Sequence, residues 1–227
     1  IKPTYNRAYL QQSLPTTKRP YNKVCLQQSL PTTKKVTYIY ENFFVFIEKE
    51  KRENNFYTMS KPSNVIKFLH IIENLKRTKR TGWVDNGIKG PESIADHMHR
   101  MAVMAMLFDN KSLDTSKCVK MAIVHDLAES VVGDITPHMN VSKTEKHKLE
   151  LDAIESFRTL LGDTPQSREI RNLWQEYEDA STPEALLVKD LDKFEMLVQA
   201  VEYEKCECHG FSLCSVYISK DISARIV

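Results

Sequence analysis

An all-α fold is what this chain of 227 residues predicts, on three observations. Glycine is scarce, at 6 residues, too few for the tight turns of an all-β sandwich. From about Ser60 onward, apolar residues recur at i, i+3, i+4 and i+7, the spacing of one buried helical face. No stretch alternates convincingly with the period of two expected of a half-buried strand.

Val65, Phe68, Leu69, Ile72 and Leu75 mark a first helix. A loop with Gly82, Gly87, Gly90 and Pro91 comes next. Ser93 and Asp96 are spaced as a capping pair, so a second helix is expected to open there and run to about Phe108. Cys118 to Val132 reads as a third helix, followed by a loop marked by Gly133, Pro137 and Asn140. Lys143 to Leu161, closed by Gly162, is a fourth, and Arg168 to Asp179 a fifth. Pro183 suits the first turn of a sixth, which runs to about Lys205. The expectation is a helical bundle of about six helices over residues 61–205, with irregular extensions at both ends.

Residues 1–58 read as a low-complexity, disordered extension. Tyr5 to Lys18 recurs with few changes from Tyr21 to Lys34, and two such units, each containing proline, are too few to stack as a solenoid. At the other end, Cys206, Cys208, His209 and Cys214 lack the spacing of a structural zinc site, so residues 206–227 read as an atypical tail. The chain carries a net charge of only +2, yet residues 1–61 hold 11 Lys/Arg against 4 Asp/Glu. The remainder is therefore mildly acidic, which argues against a nucleic-acid polymer as partner. The 5 cysteines show no disulfide framework, as expected of a reducing, cytoplasmic compartment. No apolar run reaches the ~18 residues of a membrane helix.

Chemistry concentrates inside the helices. His97, Met101, Met104 and Phe108 share one stripe of the second helix, which directs His97 into the core; His99, two positions on, faces elsewhere and is excluded as a ligand. On the third, His125 and Asp126 are adjacent among apolar residues, and Glu129 projects beside both. Such groups do not survive in a core without partners, and a divalent cation accepts imidazole and carboxylate together. On the sixth, Leu187, Leu191, Phe194 and Val198 form the apolar stripe. Asp192 lies at its edge; periodicity does not exclude Asp190 instead.

His97, His125-Asp126 and Asp192 resemble the H…HD…D signature of the HD-domain metal-dependent phosphohydrolases. Arg80-Thr81-Gly82-Trp83, the run from Pro91 to Met98, His125 to Glu129, Gly133-Asp134-Ile135 and Glu195-Met196 look like the 5′-deoxynucleotidase branch of that family. The likeness covers roughly Lys61 to Lys205 and extends to neither the N-terminal repeat nor residues 206–227. It implies hydrolysis of deoxyribonucleoside 5′-monophosphates by an α-helical homodimer. By resemblance, His97, His125, Asp126 and Asp192 hold one divalent cation (Mn²⁺, Co²⁺, Mg²⁺, Fe²⁺ or Zn²⁺), which favours Asp192 over Asp190. Glu129 and Asp134 become acidic catalytic residues that assist proton transfer or hold a second cation with the Ile135 carbonyl. Arg80 orients the phosphate and Trp83 walls the nucleotide pocket. Two other readings stay open: an HD phosphohydrolase of different nucleotide specificity, and a non-catalytic nucleotide-binding module.

Overall fold

The computed structural model describes residues 60–206. The expected extension at 1–58, and all but the first residue of the expected tail at 206–227, lie outside the described residues. Six helices of ten or more residues form the bundle: α1 (Pro62–Ile72), α4 (Ile94–Met106), α5 (Thr115–Val124), α7 (Lys143–Leu160), α8 (Pro165–Asp179) and α9 (Pro183–Cys206). Three short helices lie between them: α2 (Asn74–Arg77), α3 (Thr81–Asp85) and α6 (Glu129–Val132). Among the described residues there is no strand, only an antiparallel bridge between Lys79 and Ser93. No helix among them is long and apolar enough to cross a membrane.

Local chemistry accounts for the helix starts. The Ser93 hydroxyl accepts from the Asp96 backbone N–H, while the Asp96 carboxylate accepts from the Ser93 N–H, closing a capping box on α4. Asp114, Ser142 and Thr164 cap α5, α7 and α8 in the same sense. Helix α4 packs on α5, and α9 lies against both; α8 packs on α5 and α7. Ile94, Met101, Met121, Ile154, Phe157, Trp174 and Leu191 fill the space between them, with Phe68 edge-on to Phe157.

The structure corrects the sequence reading in several places. The first expected helix is interrupted at Glu73, dividing α1 from α2. The expected loop at 82–91 begins with α3, built on Trp83. Helix α4 stops at Met106, leaving Phe108 outside it and 38% exposed. The stripe drawn through Phe194 is misplaced: α9 buries Ala185, Val188, Leu191 and Glu195, and Phe194 is 40% exposed. Most consequentially, Cys118 to Val132 is not one helix. Helix α5 ends at Val124, and Leu127, Glu129 and Ser130 donate to carbonyls three residues back, in 3₁₀-type turns.

Candidate functional site

The 3₁₀-type turns decide what the His-Asp pair faces. His125 caps the end of α5, and its Nδ1 donates to the Ala122 carbonyl at 3.0 Å. A carbonyl can only accept, so Nδ1 carries the proton and the Nε2 lone pair is left to face the site. Side chains three residues apart eclipse in 3₁₀ winding, which stacks Glu129 beside Asp126. Ser130 Oγ and the Asn74 amide hold the Leu127 and Ser130 carbonyls and stabilise this winding. Gly133, at φ +77°, then turns the chain so that Asp134 returns toward α3.

Four side chains from α4, the turn after α5, and α9 converge. His97 Nε2 lies 3.2 Å from Asp192 Oδ1 and 3.8 Å from Asp126 Oδ2; His125 Nε2 lies 3.1 Å from Asp126 Oδ2. The donor atoms of His97, His125 and Asp192 lie within 4.8 Å of one another. Both Nε2 atoms are buried and have no hydrogen-bond partner. Two imidazole nitrogens and two carboxylate oxygens converging without hydrogen bonds to the nitrogens fit the requirements of a borderline divalent cation such as Mn²⁺, Fe²⁺, Co²⁺ or Zn²⁺. Asp192, rather than Asp190, is the carboxylate that reaches this point, held from behind by the Tyr177 hydroxyl, which donates at 2.9 Å. His99 is exposed, as expected.

Arg80 lies against the same carboxylates, with Nη1 3.3 Å from Asp126 Oδ2 and Nη2 3.9 Å from Asp192 Oδ1. Its loop is fixed from both sides. The Arg80 N–H donates to the Glu92 carbonyl, and Asp134 accepts from the Thr81 N–H at 2.7 Å while the Thr81 hydroxyl donates to the Asp134 carbonyl. The Ile135 carbonyl accepts from Lys146 Nζ at 3.1 Å, so an ammonium already occupies one lone pair of that oxygen.

Burial and neighbouring charge split the acids. Burial pushes the Asp126 carboxyl up, but His125, Arg80 and His97 outweigh it and hold it well below the usual carboxylate range. Asp192 likewise falls to about 2 against its burial, chiefly through its contact with His97. Glu129 goes the other way: burial, reinforced by Asp126 and Asp134, drives its carboxyl well up, and its Oε2 has no hydrogen-bond partner. His97 rises to about 9, because Asp192 and Glu195 together outweigh its burial.

Arg80, His125, Asp126, Glu129, Asp134 and Asp192 line a cavity of about 340 Å³, walled also by Lys143, Lys146, His147 and Lys189. A second cavity, of about 260 Å³, shares Arg80 and Asp134 with it and is lined by Gly82, Trp83, Thr136, Pro137, His138 and Met196. Trp83 is locked in that wall, its indole N–H donating to Glu92 at 3.0 Å and its ring edge-on to Tyr203.

Residues 72–225 match the HD domain family. The chain belongs to the HD domain family. The match runs past Lys205, into the segment read above as an atypical tail. Among relatives of this HD domain, the 5′-deoxynucleotidase hdd1 of Schizosaccharomyces pombe is 52% identical over 64% of this chain and 75% of its own length. The 5′-deoxynucleotidase HDDC2 of Dictyostelium discoideum is 55% identical over 63% of this chain and 79% of its own. The crystal structure of the PH0347 protein from Pyrococcus horikoshii superposes on the HD domain with a TM-score of 0.58, at 32% identity, over 70% of this chain and 88% of that one.

Glu195, Tyr177 and Lys146 went unmarked by the sequence reading as site residues. Glu195 carried a readable signal, a charge one turn beyond Leu191 on the buried face of α9. The roles of Tyr177 and Lys146 depend on groups brought in from other elements, which spacing along one helix does not reveal.

Proposed function

We propose that this HD domain hydrolyses deoxyribonucleoside 5′-monophosphates to deoxynucleoside and inorganic phosphate, with a divalent cation held by His97, His125, Asp126 and Asp192. The observation that carries the reading is the convergence of two buried, unpartnered imidazole nitrogens with two carboxylates, beside a guanidinium that can receive phosphate. Names of relatives at 46–55% identity supply the substrate class. When bound, the cation supplies a water acidified towards pH ~7 and positive charge against a phosphoryl oxygen.

The chain's own residues do the rest. Arg80 presents a planar fork of donors to the phosphate oxygens, and its contact with Asp126 and Asp192 keeps it aimed at that point. Burial, with Asp126 and Asp134 beside it, drives the Glu129 carboxyl up and favours its protonated form, which suits it to give a proton to the departing 5′ oxygen. Asp134 acts on the loop: by holding Thr81 it fixes the neighbouring Arg80. Lys146 on the Ile135 carbonyl favours proton transfer over a second cation as the task of this acidic group. The nucleoside extends from the phosphate into the cavity walled by Trp83, which meets the first cavity at Arg80 and Asp134. The homodimer and cytoplasmic setting belong to the same reading.

The test is phosphate release from a panel of deoxy- and ribonucleoside 5′-monophosphates with Mn²⁺, Co²⁺ or Mg²⁺. Release from the deoxy series, abolished by chelator, is expected. Equal turnover of ribonucleotides removes the deoxy restriction, and no release from any member leaves a non-catalytic nucleotide-binding module.

A further inference from the structure

The two imidazoles of the site are oriented by different chemistry. His125 Nδ1 meets a neutral carbonyl, whereas His97 Nδ1 lies 2.5 Å from Oε2 of Glu195, a carboxylate with no solvent exposure. The other oxygen of Glu195 receives Arg100, Nε at 2.7 Å and Nη2 at 2.5 Å. Arg100 itself is only partly buried, and its guanidinium also reaches Gln199 and Glu202 on the later turns of α9. A buried anion of this kind persists only when charge and hydrogen bonds compensate it, and here both oxygens are compensated. The path runs from the protein surface through Arg100 and Glu195 to a cation ligand.

Asp192 and Glu195, one turn apart on α9, bracket the same imidazole: Asp192 lies at Nε2 and Glu195 at Nδ1. When the Nε2 lone pair is given to a cation, the one remaining ring proton sits on Nδ1, where Glu195, a carboxylate that only accepts, holds it. Its negative charge makes the ring more basic than a carbonyl partner does. Through Arg100, which joins α4 to α9 at Glu195, Gln199 and Glu202, the same pair sets the register in which Asp192 meets His97.

We propose that Glu195 and Arg100 are a positioning pair that makes His97 the stronger of the two imidazole ligands and fixes α9 in the register that delivers Asp192. The inference rests on the proposed cation site. Its test reads metal binding directly, so that loss of nucleotidase activity alone does not bear on it.

Co²⁺ is titrated into the full chain by calorimetry, and its visible absorption bands, which report ligand geometry, are recorded. Glu195→Gln keeps the shape and an acceptor but removes the charge. It is expected to weaken Co²⁺ about 10- to 100-fold, the effect typical of losing a ligand's supporting partner, and to shift the bands while helix content is retained. Arg100→Gln is expected to weaken Co²⁺ less, and Arg100→Lys, which restores the charge, to recover part of that loss. Wild-type affinity and bands in Glu195→Gln overturn the proposal. Should Glu195→Gln fail to fold, Arg100→Gln decides: unchanged affinity and bands overturn it, and weaker Co²⁺ partly recovered by Arg100→Lys upholds it. If the wild-type chain takes up no Co²⁺, the cation site itself fails, and the positioning role with it.

Discussion

The site has two halves built in different ways. His97, Asp192 and Glu195 stand on α4 and α9, long helices whose mutual packing places the side chains. Asp126, Glu129, Asp134 and Arg80 stand on short turns between Val124 and Thr136 and at the start of α3. There, position comes from individual bonds between side chains and backbone: Ala122 to His125, Leu127 to Ser130, Thr81 to Asp134. The helical half holds ligands rigidly through packing. The turn half can bring three acids and a guanidinium into one small space, because tight turns present neighbouring residues in directions that a regular α-helix does not. The placement of His97 and Asp192 therefore depends on the core, whereas that of His125 and Asp126, like proton and phosphate handling, depends on local bonds.

The largest effect that separates the halves is expected from Glu129→Gln. Loss of a transferable proton lowers kcat by about 10²- to 10⁴-fold. Mn²⁺ affinity and stoichiometry, read by calorimetry, stay close to wild type. A lost equivalent of Mn²⁺ would instead make Glu129 a ligand of a second cation.

A pH series probes the helical half. His97 is raised from its ordinary 6.5 to about 9 by Asp192 and Glu195 against its burial, so the metal-free protein gains stability from the imidazolium below pH 6.5. That gain fades as pH rises through about 9, and the Tm of the metal-free protein falls across this window. A cation needs the Nε2 lone pair, so Mn²⁺ affinity moves oppositely, rising about tenfold per pH unit until His97 is neutral. Calorimetry at several pH values checks the slope; a flat profile sinks the assignment of His97 as a ligand.

The smallest effect is a matched pair. Gly133 in the turn half and Gly162 beyond α7 share φ +77°, and a Cβ at either meets open space. Alanine at each is expected to cost about 1–3 kcal/mol from the positive-φ backbone alone, measured by thermal unfolding. Only Gly133→Ala should also lower kcat/KM, because Asp134 follows it directly. Equal kinetic effects of the two would erase the contrast between the halves.

The helical half was largely legible. Ser93 and Asp96 announced α4, Pro183 announced α9, and apolar spacing brought His97 to the core. The turn half was not, because apolar residues continue at helical spacing through Val131 and Val132 while the winding tightens beneath them. What tightens it is a set of side-chain bonds to carbonyls, one of them from Asn74, 56 positions away along the chain. Glu195, marked only as part of a family motif, was not read as a buried site residue for a related reason. The stripe through Phe194 kept charge out of the core, whereas the structure admits it by supplying Arg100 and His97 from α4.

The central claim, that four side chains from both halves form one cation site, is tested most directly by titrating Mn²⁺ into metal-free wild type and Asp126→Ala. One equivalent bound by the wild type, with Asp126→Ala binding weakly or not at all while keeping its helix content, is the predicted result. Equal Mn²⁺ binding by the two proteins, or none by either, would contradict it.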